Sequence, residues 1–108
     1  MTLEERNRLA AMFDQYSGLL TEKQKNVFDL YYLNDLSLGE IAEEQQISRT
    51  AVYDLIKRTD HLLDKYESQL HLAQREMERR TILEELGKLS KGNEEVMKLL
   101  YQLGLEED

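Results

Sequence analysis

Apolar residues recur at helical spacing from the start of the chain. Leu9, Phe13 and Tyr16 follow a Thr2–Glu5 pair, the signature of a capping box. This predicts a helix from about Leu3 to Tyr16, with Gly18 as its left-handed stop. Thr21 with Gln24 opens a second helix, about Glu22 to Tyr32. Val27, Phe28, Leu30 and Tyr31 make it apolar all round, which places it at the centre of a core. Asn34 and Asp35 break it. Ser37 with Glu40 forms a third box, and Ile41 and Ala42 are the buried face of a short helix. Gln45, Gln46 and Ile47 make a turn. Ser48 caps the next helix, in which Val52 and Ile56 face inward together at a spacing of four. The pattern specifies an all-α protein.

Residues 37–58 form a helix-turn-helix on this reading. The side chains left facing outward are Arg49, Thr50, Tyr53, Asp54, Lys57 and Arg58. A small residue, Ala42, where two helices touch and a polar, exposed start to the second helix suit entry into a DNA major groove. Arg49 is nearest the base edges on this reading, with Lys57 or Arg58 on phosphates. The plainer alternative is a helical hairpin within a bundle.

Beyond Arg58 no glycine or proline interrupts the pattern until Gly87. Leu62, Tyr66, Leu70, Ala73, Met77, Leu83 and Leu86 form a mostly 3-4 spaced stripe that slips at Arg80, so a strict coiled coil is not expected. The helix either continues as one long rod or bends near Tyr66; a rod is expected, packing partly on its own domain and partly on another chain. Glu76 with Arg80 makes an i,i+4 ion pair on a solvated face. Residues 87–93 read as a loop, and Asn93 caps a last helix carrying Val96, Leu99, Leu100 and Leu103, with Gly104 ending it. The expected organisation is one domain at 1–66 and a helical extension at 67–108 acting as a dimerisation element. Leu55, read as an outward apolar residue, adds to that contact. The rival arrangement folds the last helix back on its own chain and leaves a monomer.

Charge changes the picture. The net charge is −8. Residues 1–66 carry 12 acids and 8 bases, and residues 67–108 carry 10 and 6, so both segments are acidic. Residues 48–58 reverse the balance, with three bases, Arg49, Lys57 and Arg58, against Asp54. This locally positive helix on an acidic body neutralises few phosphates as a monomer. Acidic bodies also suit basic protein partners. The absence of cysteine removes disulfides and thiolate metal sites and is compatible with the cytoplasm. No run of about 18 apolar residues exists to span a membrane.

Residues 19–58, LLTEKQKNVFDLYYLNDLSLGEIAEEQQISRTAVYDLIKR, resemble region 4 of bacterial sigma factors, the part that reads the promoter −35 element. The matching blocks are LTEKQ, the apolar run to Tyr32, LSLGEIA, and ISRTAV with its basic close at Lys57 and Arg58. The whole chain is similar to the YlxM family of small sigma-4-like proteins. The resemblance implies a DNA-binding helix-turn-helix and an influence on the signal recognition particle pathway. The chain departs from the sigma pattern at Gln46, where a glycine is usual, at Gln45, where an apolar residue is usual, and at Leu55, where a polar or basic one is.

No catalytic constellation is present. His61 and His71 lack a metal-ligand spacing, so no metal or cofactor is expected. The adjacent carboxylates Glu43–Glu44, Glu84–Glu85 and Glu94–Glu95 diverge by about 100 degrees on a helix, which suits solvation. Arg75, Arg79 and Arg80 are interleaved with Glu76 and Glu78 as a solvated face. Two function classes remain: a double-stranded-DNA-binding regulator, and a protein-interaction module acting on a signal recognition particle or transcription component. The expected assembly is a cytoplasmic homodimer.

Overall fold

Each start signal in the sequence is a set of hydrogen bonds in the structure. The computed structural model describes residues 1–107. Thr2, Thr21 and Ser37 each accept from the backbone N–H three residues on, while Glu5, Gln24 and Glu40 accept from the N–H of the cap. Three reciprocal capping boxes therefore open α1 (Leu3–Tyr16), α2 (Glu22–Phe28) and α3 (Leu38–Gln45). Ser48 caps α4 (Arg49–Leu70) by accepting from Ala51 N–H at 3.0 Å. α5 (Leu72–Leu89) and α6 (Glu94–Leu103) complete the chain. There is no strand among the described residues.

Two compact units divide the chain, the first ending at Ala73. In the first unit Met12, Tyr16, Val27, Phe28, Tyr32, Ile41, Ala42, Val52, Ile56 and Leu63 share one buried cluster. Phe13 stacks on Phe28 at 4.7 Å, and Phe28 meets Tyr32 at the same centroid distance, so α2 is central, as its apolar sequence requires. α2 runs on into a π-helical turn, Asp29–Leu33. Arg6 of α1 closes that turn: its Nη2 and Nε donate to the Tyr32 carbonyl at 2.7 and 3.1 Å, and it pairs with Asp35. The Tyr32 carbonyl would otherwise lack a helical partner.

Several sequence expectations are corrected here. Gly18 is not left-handed; it lies in a single 3₁₀ turn, Ser17–Leu19, and the positive φ falls on Asp35, Gln46 and His71 instead. The rod is broken. α4 ends at Leu70, His71 adopts φ 55, and α5 starts afresh at Leu72. The buried stripe of α4 is Val52, Ile56, Thr59 and Leu63, one residue out of register with the Leu62–Tyr66 stripe read from the sequence. Thr59 is admitted to the core because its hydroxyl donates to the Leu55 carbonyl at 2.8 Å. Leu55 is half-buried against the core cluster, so it is not an outward apolar residue. The first unit reaches past Tyr66 because Tyr16 and Glu67 hold the start of α5, and Ala73 is buried.

In the second unit α5 continues through Gly87 to Leu89, beyond the expected loop start. Gly87 is buried, and a Cβ there would lie 2.9 Å from Leu105, so glycine permits this close approach. Arg79 donates to the Leu103 carbonyl, and Gly104, at φ 114, ends α6. α6 thus turns back on α5 of its own chain. Leu83 and Leu100 are buried, whereas Ile82, Leu86 and Leu89 form an exposed stripe along α5, with Leu99 and Leu103 exposed on α6.

Candidate nucleic-acid interface

The turn between α3 and α4 fixes the geometry of the motif. Gln46 stands in the left-handed region at φ 56, ψ 44, with its N–H directed to Ala42 and Glu43 carbonyls. Ile47 N–H then donates to the Ala42 carbonyl at 3.0 Å, which completes a Schellman-type closure. A side chain occupies the place where glycine is easiest, and the turn forms regardless. Ile41, Ala42, Val52 and Ile56 are buried, so the inward faces of both helices are committed to one core.

The opposite face of α4 is open. Arg49, Thr50, Tyr53, Asp54, Lys57 and Arg58 are all exposed. At 3.6 residues per turn, Arg49, Tyr53 and Lys57 lie along one line, and Thr50, Asp54 and Arg58 along a neighbouring one. The fold therefore brings Arg49, Thr50, Tyr53 and Lys57 together, and leaves Arg58 beyond Asp54. Lys57 Nζ lies 5.5 Å from the centre of the Tyr53 ring, so the aromatic steadies the ammonium and keeps it at the surface. Ser37 and Ser48 are engaged as helix caps.

Arg49 shows a relationship invisible to periodicity. Its guanidinium lies against Gly39, close enough that a Cβ there would meet Nη2 at 3.0 Å. Gly39 is the residue sequence reasoning missed. The available signal was a glycine inside a helix, where it is unfavourable unless something needs the space.

Acidic groups frame the surface. Glu43 and Glu44 are exposed on α3. Glu40 is committed to its cap: the Ser37 backbone N–H, and then the Ser37 hydroxyl, hold its carboxyl below the usual carboxylate range. Among the described residues no group of three or more His, Cys, Asp or Glu side chains is arranged to hold a metal, and no helix is long and apolar enough to cross a membrane.

Comparison with known proteins agrees with this geometry. The family model described as "Putative helix-turn-helix protein, YlxM / p13 like" matches residues 3–103. The chain is similar to a UPF0122 protein of Bacillus licheniformis, 52% identical over 103 residues, which cover 95% of this chain and 96% of the relative. It is similar to UPF0122 protein YlxM of Bacillus subtilis strain 168, 50% identical over 95 residues, covering 88% and 86%. A UPF0122 protein of Bacillus thuringiensis is 48% identical over 101 residues, covering 94% and 92%. The description of this family is that of a helix-turn-helix protein. With its motif at residues 37–58 and similarity over nearly the whole length, the chain belongs to the YlxM / p13-like helix-turn-helix family.

Proposed function

We propose that the protein is a DNA-binding regulator that places α4 in the major groove of a duplex. The observation that carries this reading is the division of α4 into two faces. Val52, Ile56, Thr59 and Leu63 are locked in the core, and Arg49, Thr50, Tyr53 and Lys57 project from the exposed side of the same rigid helix. Arg49 and Thr50, at the first turn, reach base edges on this reading, and Lys57 and Arg58 contact phosphates. The resemblance to the YlxM family supports a role in expression or function of the signal recognition particle pathway, in the cytoplasm. Two copies, joined through the exposed apolar stripes after Ala73, would present two motifs to one duplex and compensate for the small local charge.

A second reading is favoured by a specific observation. Asp54 sits in the middle of the exposed face, and residues 1–73 carry 13 acids against 8 bases. On this reading the same fold is a protein-interaction module for a targeting or transcription component with a basic surface.

Titration of the purified protein with genomic DNA fragments at two salt concentrations tests the proposal. Under DNA binding, the triple variant Arg49→Ala, Lys57→Ala, Arg58→Ala loses most of its affinity. Its salt slope falls by about one unit for each phosphate contact removed. Unchanged affinity in the folded triple variant overturns DNA binding through α4 and leaves the protein-interaction reading.

A further inference from the structure

Gly39 is half-buried in the first turn of α3, where glycine is a poor helix former. Left-handed backbone does not explain it, because the glycines with positive φ are Gly92 and Gly104. A close approach does. The three heavy atoms nearest to the place of a Cβ on Gly39 all belong to Arg49: Nη2 at 3.0 Å, Nε at 3.3 Å and Cζ at 3.4 Å. A helical glycine with so tight a neighbour is there for the space.

The seat is fixed and the cation on it is uncommitted. The Ser37–Glu40 capping box fixes the first turn of α3, and the closure at Gln46 fixes how α4 leaves it. Arg49 is the first residue of α4 and is exposed. Among the described residues its guanidinium makes no ion pair and no hydrogen bond. Glu40, the carboxylate next to Gly39 in sequence, accepts from the Ser37 N–H at 3.1 Å instead. An arginine normally gives up much side-chain freedom when it makes a contact. One that already lies on a fixed surface, with its donors unused, gives up less.

We propose that Gly39 is a positioning residue for Arg49: the missing side chain seats the guanidinium on α3 in the unbound protein and keeps its donors available to a base edge of the duplex. The proposal rests on the reading of α4 as the DNA-contacting helix. A Cβ at position 39 fits once the guanidinium moves away, and the end of a long side chain moves easily. Gly39→Ala therefore leaves the core intact, favours the helix and unseats Arg49. Stability and positioning change in opposite directions, which a purely structural glycine would not produce.

The full-length protein provides the test, first without DNA. Relaxation of the Arg49 Nε–H group should give an order parameter close to that of rigid backbone, about 0.85, and Gly39→Ala should lower it below about 0.6. The denaturation midpoint of the same variant should stay equal or rise. Titration with the most tightly bound genomic fragment follows. Gly39→Ala should weaken binding about three- to tenfold, the cost of ordering one long side chain. In an Arg49→Ala background, adding Gly39→Ala should change nothing further. Gly39→Ser, which adds the same Cβ, should repeat these results and decides if the alanine variant does not fold. An Arg49 side chain that is mobile in the unaltered protein, or equally ordered in both, overturns the seat. A loss of affinity that persists in the Arg49→Ala background overturns the positioning role and leaves Gly39 acting by itself. Unchanged binding by Arg49→Ala alone strikes the DNA contact of this residue, and the positioning role falls with it whatever the order parameter.

Discussion

Tyr32 donates a 2.7 Å hydrogen bond to Asp60 Oδ2, tying the π-helical turn after α2 to the middle of α4. The other carboxylate oxygen, Oδ1, is buried without a hydrogen-bond partner. Burial pushes the Asp60 carboxyl above the usual carboxylate range, against the pull of the Tyr32 hydrogen bond and of Lys57 and His61, with Asp64 adding to the rise. Burial, with the carboxylate beside it, also pushes the Tyr32 hydroxyl up, so it stays protonated and donating. This junction fixes α4 against the core at a cost borne by one oxygen.

The first prediction concerns that oxygen. The folded state holds the Asp60 proton more tightly than the unfolded chain does, so the charged form is penalised at neutral pH. That penalty disappears as pH falls through the folded pKa toward the unfolded value. Asp60→Asn should therefore match or exceed the original melting temperature at pH 7, with the advantage shrinking as pH approaches 4. Asp60→Leu strands the Tyr32 hydroxyl and should cost about 1–3 kcal/mol. Thermal melts from pH 4 to pH 7 check both, and a markedly less stable Asn variant at pH 7 would contradict the account.

Gln46 gives a test of the turn. Its φ of 56 is strained for a side chain and natural for glycine. Gln46→Gly should stabilise by up to about 1 kcal/mol, and Gln46→Val, β-branched, should destabilise. Chemical denaturation midpoints measure this. Equal midpoints for glycine and valine would mean that the left-handed turn is not formed in solution.

Ile41 has no exposed surface and sits where α3 meets the core. Ile41→Ala should cost about 2–5 kcal/mol through lost burial and a residual cavity. Ile41→Asp should unfold the first unit. An unchanged melting temperature for the aspartate variant would exclude this position from the core.

The exposed stripe Ile82, Leu86 and Leu89, with Leu99 and Leu103 on α6, motivates self-association. Sedimentation equilibrium at tens of micromolar should give a dimer mass. Ile82→Lys with Leu89→Lys, both on exposed positions, should give a monomer that remains folded. A monomer mass for the unaltered chain would end the dimer reading, and the fold-back of α6 onto α5 would then be the whole role of that helix.

Sequence alone determined the starts of five of the six α-helices, all but α5. Thr2, Thr21, Ser37, Ser48 and Asn93 each cap a helix as their spacing to the next polar acceptor or N–H predicts, because a cap is a hydrogen bond completed within three residues. Gly104 ends α6 for the same local reason. The four motif positions Ile41, Ala42, Val52 and Ile56, the exposed residues of α4 and the family similarity over residues 3–103 follow from pattern as well. Only the tertiary structure decided where α4 stops. His71 breaks the rod because Tyr16, more than fifty residues upstream, offers a hydroxyl to Leu72. Arg6 closes the π-helical turn, and Arg49 lies over Gly39, through contacts that no periodicity encodes. The shift of the buried stripe from Leu62 to Leu63 has the same origin. A helix offers adjacent apolar residues to choose from, and the neighbours it packs against select which one is buried.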